Sequence, residues 1–489
     1  MWFREDLRLS DNPALSAAVA SKQPLICVFI LDNAHGGPRA RGGAARWWLH
    51  GALASLADDI AAKGGALHLF QGDSVALIST LTKESSAANI FWNRRYDAEG
   101  RAQDAAISEA LTENGVTVET FNDKLLVEPD AIKTKAGKPF RVYTPFWNTL
   151  KARGDPASPL PSPRRFSNAS MPPGAPKPIS LEALNLLPRK PDWAGGLRET
   201  WTPGEAAGGK RLHHFVDDLL GDYSDGRDRP ATDATSRLSP YLASGAVSPR
   251  QIWHAAHHAS AASGVGRDDV EKLSKELAWR EFSYHLLFHF PDLGTANFNK
   301  RFDGFVWTSN PTKLLRAWQR GMTGYPIVDA GMRQLWQTGW MHNRVRLITG
   351  SFLVKHLRID WRKGEDWFWD TLVDADPANN AQNWQWIAGS GADAAPYFRI
   401  FNPILQGERF DPDGAYVKRF VPELKDIPKR FIHKPWEAPK DVLAKARVQV
   451  GETYSVPIVD HAQARAEALA AFAAVKPRAK MRLPERRNH

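Results

Sequence analysis

The chain has 489 residues, which is enough for two or three domains with a large hydrophobic core. Its formal net charge of +10 favours a polyanionic partner such as nucleic acid. A single cysteine, Cys27, excludes a disulfide framework and is typical of the reducing cytoplasm, and no apolar run is long enough to span a membrane. Most of the 19 tryptophans lie beyond residue 190, which predicts different tasks for the two halves of the chain.

Residues 1–125 alternate short apolar runs with helical patterns. The predicted strands cover 25–31, 67–70, 89–92 and 116–121. The predicted helices cover 44–62, a short segment after Asp73, and 103–114. This alternation predicts an α/β doubly wound parallel sheet. No Gly-x-Gly-x-x-Gly fingerprint follows the first strand, so a standard dinucleotide site is not expected in this domain.

The second part of the chain differs in composition. Residues 126–205 are rich in proline and glycine and are predicted to form an interdomain linker on the surface rather than an element of its own. From 206 to 475, helical periodicity with many indoles predicts a large all-α domain. Residues 476–489 are basic and poor in apolar groups, and we expect a disordered tail.

Acids, amides, arginines and indoles are concentrated between residues 339 and 386. On a helix, Asn343 and Arg346 are surface neighbours. Arg346 is expected to pair with Asp374 or Asp376, since a buried acid is tolerated only when it is paired. Such a cluster suits a planar, redox-active heteroaromatic ligand. The alternative is a tryptophan-rich helical core with acids in its loops.

Three hydroxyl groups precede a predicted helix in the run Thr235-Ser236-Arg237-Leu238-Ser239-Pro240. Ser239 is expected to be the N-cap and Pro240 the first helical residue. Hydroxyls and free backbone N–H groups at a helix start can bind a phosphate. Capping alone would explain the same pattern.

A long helix is predicted at 268–290, with an apolar stripe on one face and Glu276, Trp279 and Arg280 on another. An acid, an indole and a guanidinium on one face can hydrogen-bond to, stack on and pair with a nucleotide. The alternative for these residues is a solvated face.

Further along, the run Trp384-Gln385-Trp386 places two indoles about 200° apart on a helix, so that they can serve opposite surfaces. The nearby pair Asp374 and Asp376 has no histidine or glutamate at ligand spacing, and no metal site is expected there. The remaining histidine pairs are expected on helix surfaces: His213-His214 and His257-His258.

In chain order, these and other runs resemble the photolyase–cryptochrome family over nearly the whole chain. The matching runs are Trp2-Phe3-Arg4-Glu5-Asp6-Leu7-Arg8-Leu9 with Asp11-Asn12, Thr144-Pro145-Phe146-Trp147, residues 235–239, Gly324-Tyr325-Pro326 with Asp329-Ala330, residues 340–344, and Phe401-Asn402-Pro403. So many ordered matches are more specific than a single motif. The resemblance implies an α/β domain, a long linker and a helical domain that binds folded FAD.

The resemblance also implies roles for individual residues. Those that would bind FAD are Tyr223, Thr235, Ser236, Arg237, Leu238, Ser239, Arg346, Asp374, Ala375, Asp376 and Asn380, the last facing flavin N5. The electron-transfer chain between flavin and surface would consist of Trp384, Trp361 and Trp307. The lesion pocket would contain Glu276, Trp279, Asn343 and Trp386. The other DNA contacts would come from Arg227, Arg280, Arg344 and Gln406.

The implied reaction is light-driven repair of a cyclobutane pyrimidine dimer flipped out of DNA. Excited, fully reduced flavin donates an electron, the ring opens, and the electron returns. The resemblance further implies a monomer that acts on dimer-containing DNA, away from membranes, in the cytoplasm at the bacterial nucleoid. Two alternatives are a cryptochrome-type photoreceptor without repair activity and a flavin-free helical nucleic-acid binder.

The sequence departs from the family pattern at several positions. Leu347 stands where dimer-repairing members usually carry methionine, and Leu273 replaces a common tryptophan near the flavin. Asn343 and Leu347 replace the histidines of relatives that repair the (6-4) lesion, so that substrate is not expected. Glu99-Gly100 replaces the Asn-Glu pair typical of folate binding. We still expect a second chromophore, 5,10-methenyltetrahydrofolate, in a cleft of the α/β domain, because the Glu99 carboxylate can accept two hydrogen bonds from a pterin.

The family signature begins inside the first strand of the sheet, and only residues 1–3 can belong to that strand here. Because a doubly wound sheet normally has this strand at its centre, we expect the native start to lie upstream of Met1.

Overall fold

The computed structural model describes residues 1–32, 39–394 and 398–475. The expected basic tail at 476–489 lies outside these residues. Five parallel strands form one sheet in the order β3-β2-β1-β4-β5. The strands are β1 Trp2–Phe3, β2 Cys27–Leu31, β3 Leu67–Gln71, β4 Asn89–Asn93 and β5 Thr117–Phe121. This topology confirms the predicted doubly wound α/β fold.

Four helices connect the strands. They are α1 Pro13–Ala20, α2 Gly43–Ala62, α3 Ser74–Glu84 and α4 Ala98–Glu113. α2 and α3 were predicted, whereas α4 begins five residues before the predicted 103, because the Asp97 carboxylate caps its first turn. The sequence pattern missed α1, although Asn12 caps it and Pro13 is its first residue. Both features are helix-start signals.

Apolar side chains fill the space around the central strands. β1, β2 and β4 are almost entirely buried, as expected for parallel strands covered by helices on both sides. Trp2 and Trp92, on neighbouring strands, meet edge to face with ring centroids 5.8 Å apart. Cys27 is a free, buried thiol, as predicted.

The linker segment contains two helices, α5 Tyr143–Lys151 and α6 Gly195–Thr200. The prediction that 126–205 has no element of its own is therefore wrong. The sequence pattern hid α5 because Pro145 lies in its first turn, where proline is tolerated. The buried residues of α5 are Tyr143, Phe146, Trp147 and Leu150.

The chain beyond the linker is helical, as predicted. Its helices are α7 Glu205–His214, α8 Tyr223–Gly226, α9 Ser239–Ser244, α10 Pro249–Ser263, α11 Arg267–His289, α12 Thr312–Gln319, α13 Pro326–Thr338, α14 Asn343–Ser351, α15 Trp361–Thr371, α16 Pro377–Ala388, α17 Pro403–Phe410, α18 Ala415–Phe420, α19 Lys440–Ala446 and α20 His461–Ala473. α11 packs along α16, and α14 and α15 also contact α16. No helix in the described ranges combines the length and the apolar character that crossing a membrane requires.

α11 also joins the helical domain to the rest of the chain. The buried Glu281 carboxylate accepts backbone N–H groups of Leu126 at 2.9 Å and Val127 at 3.3 Å. Burial raises the pKa of Glu281 to about 7. A second contact between the two domains is made by the buried Arg8 of the α/β domain, which donates to the Gly245 carbonyl at 2.8 Å. The contacts of Glu281 and Arg8 together form the seam between the domains.

Candidate functional site

A cavity of about 510 Å³ lies where α11, α14 and α16 meet the loop before α9. Cavities of this size are typical of cofactor sites. The predicted site residues in its lining are Tyr223, Arg227, Ser236, Leu238, Ser239, Glu276, Trp279, Arg280, Asn343, Arg344, Arg346, Asp374, Asp376 and Trp386. Two smaller adjoining cavities add Thr235, Arg237, Ala375, Asn380 and Trp384. Trp307, Trp361 and Gln406 do not line these three cavities.

The hydroxyl-rich loop before α9 contributes one end of the cavity. Ser239 is the first residue of α9 and Leu238 occupies the N-cap position, so the prediction that Ser239 is the cap is wrong. The Ser239 hydroxyl instead accepts the Trp340 indole N–H at 3.3 Å, which keeps it at the cavity rather than on its own backbone. Arg237 has a φ of 51°, so the loop turns sharply at this residue.

A paired charge lies beside this loop. Arg346 donates to the Asp374 carboxylate at 2.8 Å, which confirms one of the two predicted partners. Asp376 has a different role, since it caps α16 and accepts the Tyr284 hydroxyl at 2.5 Å. The second carboxylate oxygen of Asp374 is buried without a hydrogen-bond partner in the described part of the chain.

The side chain of Asn380 is held by residues that line none of these three cavities. Its amide nitrogen donates to the carboxylate of Glu365 at 2.8 Å and to the backbone carbonyl of the same residue at 3.0 Å. Burial raises the pKa of Glu365, although Arg39 donates to its carboxylate at 2.7 Å. No local pattern indicated these two partners, because Glu365 reaches Asn380 from the preceding helix and Arg39 lies more than 300 residues earlier in the chain.

The face of α11 predicted to meet a nucleotide lies along the cavity. Arg227 pairs with Glu276 at 2.5 Å, and the Trp279 ring stacks on Tyr143. Arg280 is buried and donates to the Lys124 carbonyl at 2.7 Å. The alternative of a solvated face is therefore wrong for Arg280.

A second arginine at the cavity is also paired. Arg344 donates to the Asp228 carboxylate at 2.6 Å and lies 4.4 Å from the centroid of the Phe410 ring. The backbone N–H of Arg344 donates to Nδ1 of His342, which caps α14. Burial lowers the pKa of His342 to about 4, so this cap is a neutral imidazole at pH 7. No motif or spacing in the sequence indicated a role for Asp228.

The two indoles at the end of α16 have different surroundings. Trp384 is buried and meets Phe368 edge to face at 5.0 Å. Trp386 lines the main cavity, and its indole N–H donates to the Asp393 carbonyl at 3.1 Å. Gln406 is half-buried on α17.

The predicted electron-transfer residues share one core. Trp361 is fully buried, and its indole N–H donates to the Asn297 side chain at 2.9 Å. It belongs to the same apolar cluster as Trp384, and Trp307 packs at the edge of that cluster. Trp384 and Trp361 are buried and Trp307 is half-buried, which agrees with a route from the cavity to the surface through these three indoles.

The histidine pairs lie outside the cavity. His213 and His214 are exposed, as predicted, whereas His257 is half-buried because it stacks on Trp253 at 4.5 Å. Among the described residues, no group of three or more metal-ligating side chains is present.

A second cavity, of about 490 Å³, lies between the carboxyl ends of the strands and the helical domain. Glu99 lines it and is exposed. A side chain at position 100 would collide with Arg95, at 2.6 Å from the Cβ position, which explains why glycine stands there. Arg95 also lines this cavity.

Comparison with known proteins places these features in a family. Residues 1–164 match the family model described as DNA photolyase, and residues 273–474 match the FAD binding domain of DNA photolyase. A deoxyribodipyrimidine photo-lyase of Agrobacterium fabrum is 54% identical over 476 residues, which cover 97% of this chain and 98% of that protein. Cryptochrome-1 of Arabidopsis thaliana is 37% identical, over 95% of this chain and 69% of that protein.

The crystal structure of a bacterial class III photolyase from Agrobacterium tumefaciens has a TM-score of 0.93 at 54% identity, covering 97% of this chain and 96% of that one. The chain therefore belongs to the DNA photolyase family, and FAD is the cofactor of its helical domain.

The residues present fit FAD. The hydroxyls of Ser236 and Ser239 lie at one end of the cavity, where they can donate to a diphosphate. The unpartnered, buried oxygen of Asp374 can accept an N–H group of a flavin ring, since such an atom otherwise remains unsatisfied. Arg346 keeps the other oxygen of this carboxylate occupied and fixes its orientation.

Proposed function

We propose that this chain repairs cyclobutane pyrimidine dimers in DNA when it is illuminated. One observation carries the proposal: most of the residues assigned to FAD line the same cavity as the four residues assigned to the lesion pocket. Cofactor and substrate would then be neighbours, as direct electron transfer requires. Bound FAD in its fully reduced form supplies the electron after it absorbs light, and the protein supplies orientation and a cavity that excludes water.

At the cofactor end, the chain holds charge and amide groups in place. Arg346 and Asp374 form a pair that would hold the flavin ring, and Glu365 fixes the Asn380 amide that would face flavin N5. Because protein contacts hold these groups in place, little reorganisation would be needed when the ring changes charge.

At the substrate end, Trp279 and Trp386 offer indole rings to a flipped dimer, and Glu276 accepts a hydrogen bond from its base edge. Flipping costs less at a lesion that already distorts the duplex. Arg227 and Arg344 are close enough to the cavity mouth to bind flanking phosphates, whose contacts position the strand without reading its sequence.

Electron supply to oxidised flavin uses a separate set of residues. We assign Trp384, Trp361 and Trp307 to a relay that passes electrons from the surface to the cavity. Their shared apolar cluster supports this assignment, because it keeps water away from the two inner indoles.

We also propose that the second cavity binds a 5,10-methenyltetrahydrofolate antenna, with Glu99 on its pterin. If protein isolated from a folate-sufficient host without deazaflavin shows flavin bands and no further near-ultraviolet absorber, this assignment is wrong.

The proposal also covers the partner, the oligomeric state, the location and the functional units of the chain. The partner is DNA that contains pyrimidine dimers, and the net charge of +10 supports binding to a polyanion. The protein acts as a monomer in the cytoplasm, at the bacterial nucleoid. Its functional units are an antenna domain at 1–125, a linker at 126–205 and an FAD-binding domain at 206–475.

The proposal is tested by a repair assay with the flavin reduced chemically. We expect the dimers in an oligonucleotide to disappear under blue light and to persist in the dark. Dimers that persist under light, in a protein whose spectrum shows reduced flavin, would refute repair and favour a photoreceptor of the cryptochrome type.

A further inference from the structure

The Trp279 ring is backed by a residue from the linker. Tyr143, the first residue of α5, stacks on it with ring planes 4° apart and centroids 3.8 Å apart. No other described aromatic ring stacks face to face on Trp279. Because Trp279 also lines the main cavity, a base that stacks there would extend an existing pair of rings.

Tyr143 is itself held in place. Its side chain is buried, and its hydroxyl donates to the Lys275 carbonyl at 2.7 Å, one turn before Trp279 on α11. One turn further along α5, Phe146 packs on Phe282 of α11 with ring centroids 5.3 Å apart. The Tyr143 ring therefore cannot move without displacing α5 from α11.

The same residue lies near the support of the second indole. Burial raises the pKa of the Asp393 carboxyl, and the nearby Tyr143 backbone N–H opposes that rise. The backbone carbonyl of Asp393 accepts the Trp386 indole N–H at 3.1 Å. Tyr143 thus contacts one cavity-lining indole directly and lies close to the residue that holds the other.

We propose that Tyr143 is a positioning residue for the substrate, which fixes the Trp279 ring as a stacking surface for a base of the flipped dinucleotide. This inference rests on the repair function proposed above. An indole already held flat on another ring loses little rotamer freedom when a base stacks on it, and such preorganisation strengthens binding. The Thr144-Pro145-Phe146 run would then serve the lesion pocket by starting the helix that presents Tyr143.

The test uses the full FAD-loaded chain and an oligonucleotide with one cyclobutane dimer, with binding measured in the dark. Tyr143→Leu removes the ring, Tyr143→Phe keeps the ring and loses only the hydroxyl, and Trp147→Leu, which removes another buried ring of the same helix, is the matched control. We expect Tyr143→Leu to weaken dimer binding about fivefold or more, and Tyr143→Phe to bind as the wild type does. Affinity for undamaged DNA, flavin content and repair per absorbed photon at saturating substrate should not change, because only substrate binding is lost.

Two results would overturn the inference: dimer binding by Tyr143→Leu that equals the wild type, or an equal loss in Trp147→Leu, which would indicate general packing. A wild-type protein without preference for dimer-containing DNA would instead refute the repair function itself. The two failures are therefore distinguishable in one set of measurements.

Discussion

The two indoles that line the cavity are held in different ways. Trp279 lies flat on Tyr143, whereas Trp386 is held by a hydrogen bond from its indole N–H to Asp393. A base that stacks on an aromatic side chain gains about 1–3 kcal/mol. Trp279 should therefore contribute to substrate affinity and not to cofactor retention, since it lines the main cavity but neither of the two adjoining cavities that Asp374 also lines.

Replacement of Trp279 by alanine should weaken dimer binding by about tenfold or more. Flavin content should stay at the wild-type level. Trp336→Ala, which removes an indole that is 53% exposed and outside the cavity, is the control and should leave dimer binding unchanged. Equal losses in both variants, measured by gel shift with a dimer-containing oligonucleotide, would contradict the assigned role.

Trp361 should behave in the opposite way, because it belongs to the electron supply and does not touch the main cavity. Trp361→Phe should block photoreduction of oxidised flavin, while dimer binding stays intact. Repair should return once the flavin is reduced chemically. Flavin photoreduction at the wild-type rate in this variant, followed by absorption spectroscopy, would exclude the proposed relay.

The Asp228 carboxylate pairs with the Arg344 guanidinium and offsets its positive charge. Asp228→Asn should therefore tighten binding to undamaged duplex at low salt and steepen the dependence of log affinity on log salt by about one unit, as expected for one additional phosphate contact. Asp225→Asn carries the same charge change on an exposed neighbour and is the matched control. If the two variants have the same salt dependence, net charge rather than Arg344 is responsible.

The site residues were predictable where their roles follow from short spacings in the sequence. Arg346 and Asp374 were matched because a buried acid needs a cation, and the different surroundings of Trp384 and Trp386 follow from helical geometry. The residues that hold these groups were not predictable in this way. Tyr143 acts through contacts with a segment distant in sequence, and Glu365 reaches Asn380 from the preceding helix, so no periodic pattern within one helix records either contact.

At the scale of elements, α11 has both functional and structural roles. Its cavity side presents Glu276 and Trp279, and its opposite side carries Glu281 at the seam with residues 126 and 127. The raised pKa of Glu281 means that the folded protein holds a proton there that the unfolded chain releases more easily. Its contribution to stability is full below its ordinary pKa of 4.5 and is lost as the pH rises through about 7.

Glu281→Gln, which mimics the protonated form, should be more stable than the wild type at pH 8 by on the order of 3 kcal/mol. At pH 5 the two should unfold at nearly the same temperature. Glu113→Gln, at an exposed position on α4, should match the wild type at both pH values. A Glu281→Gln variant without any pH-dependent difference in thermal unfolding would show that this carboxyl is ionised in the folded protein.

The strands and the longer helices were predicted because their apolar runs and glycine stops are strong local signals. α1 and α5 were missed, since α1 is short and α5 has a proline in its first turn. α5 is stabilised by burial against α11, and tertiary packing of this kind overrides weak local propensity.

At the scale of the whole molecule, two cavities lie close together. Ala375 and Asp376 line parts of both the second cavity and the cofactor site, so only a short stretch of chain separates the two. If the proposed antenna binds in the second cavity, the energy it absorbs would be released beside the cofactor site. The seam through Arg8 and Glu281 fixes the two domains relative to each other, which such a transfer requires.

The central claim is that reduced FAD and the flipped dimer occupy one cavity. Its most direct test is the fluorescence of reduced flavin in the purified protein, measured with increasing amounts of dimer-containing DNA. We predict that the dimer quenches this fluorescence by accepting an electron, and that undamaged DNA of the same sequence does not. Fluorescence that stays constant while dimer-containing DNA is bound would contradict the claim, because the lesion would then lie too far from the flavin to accept its electron.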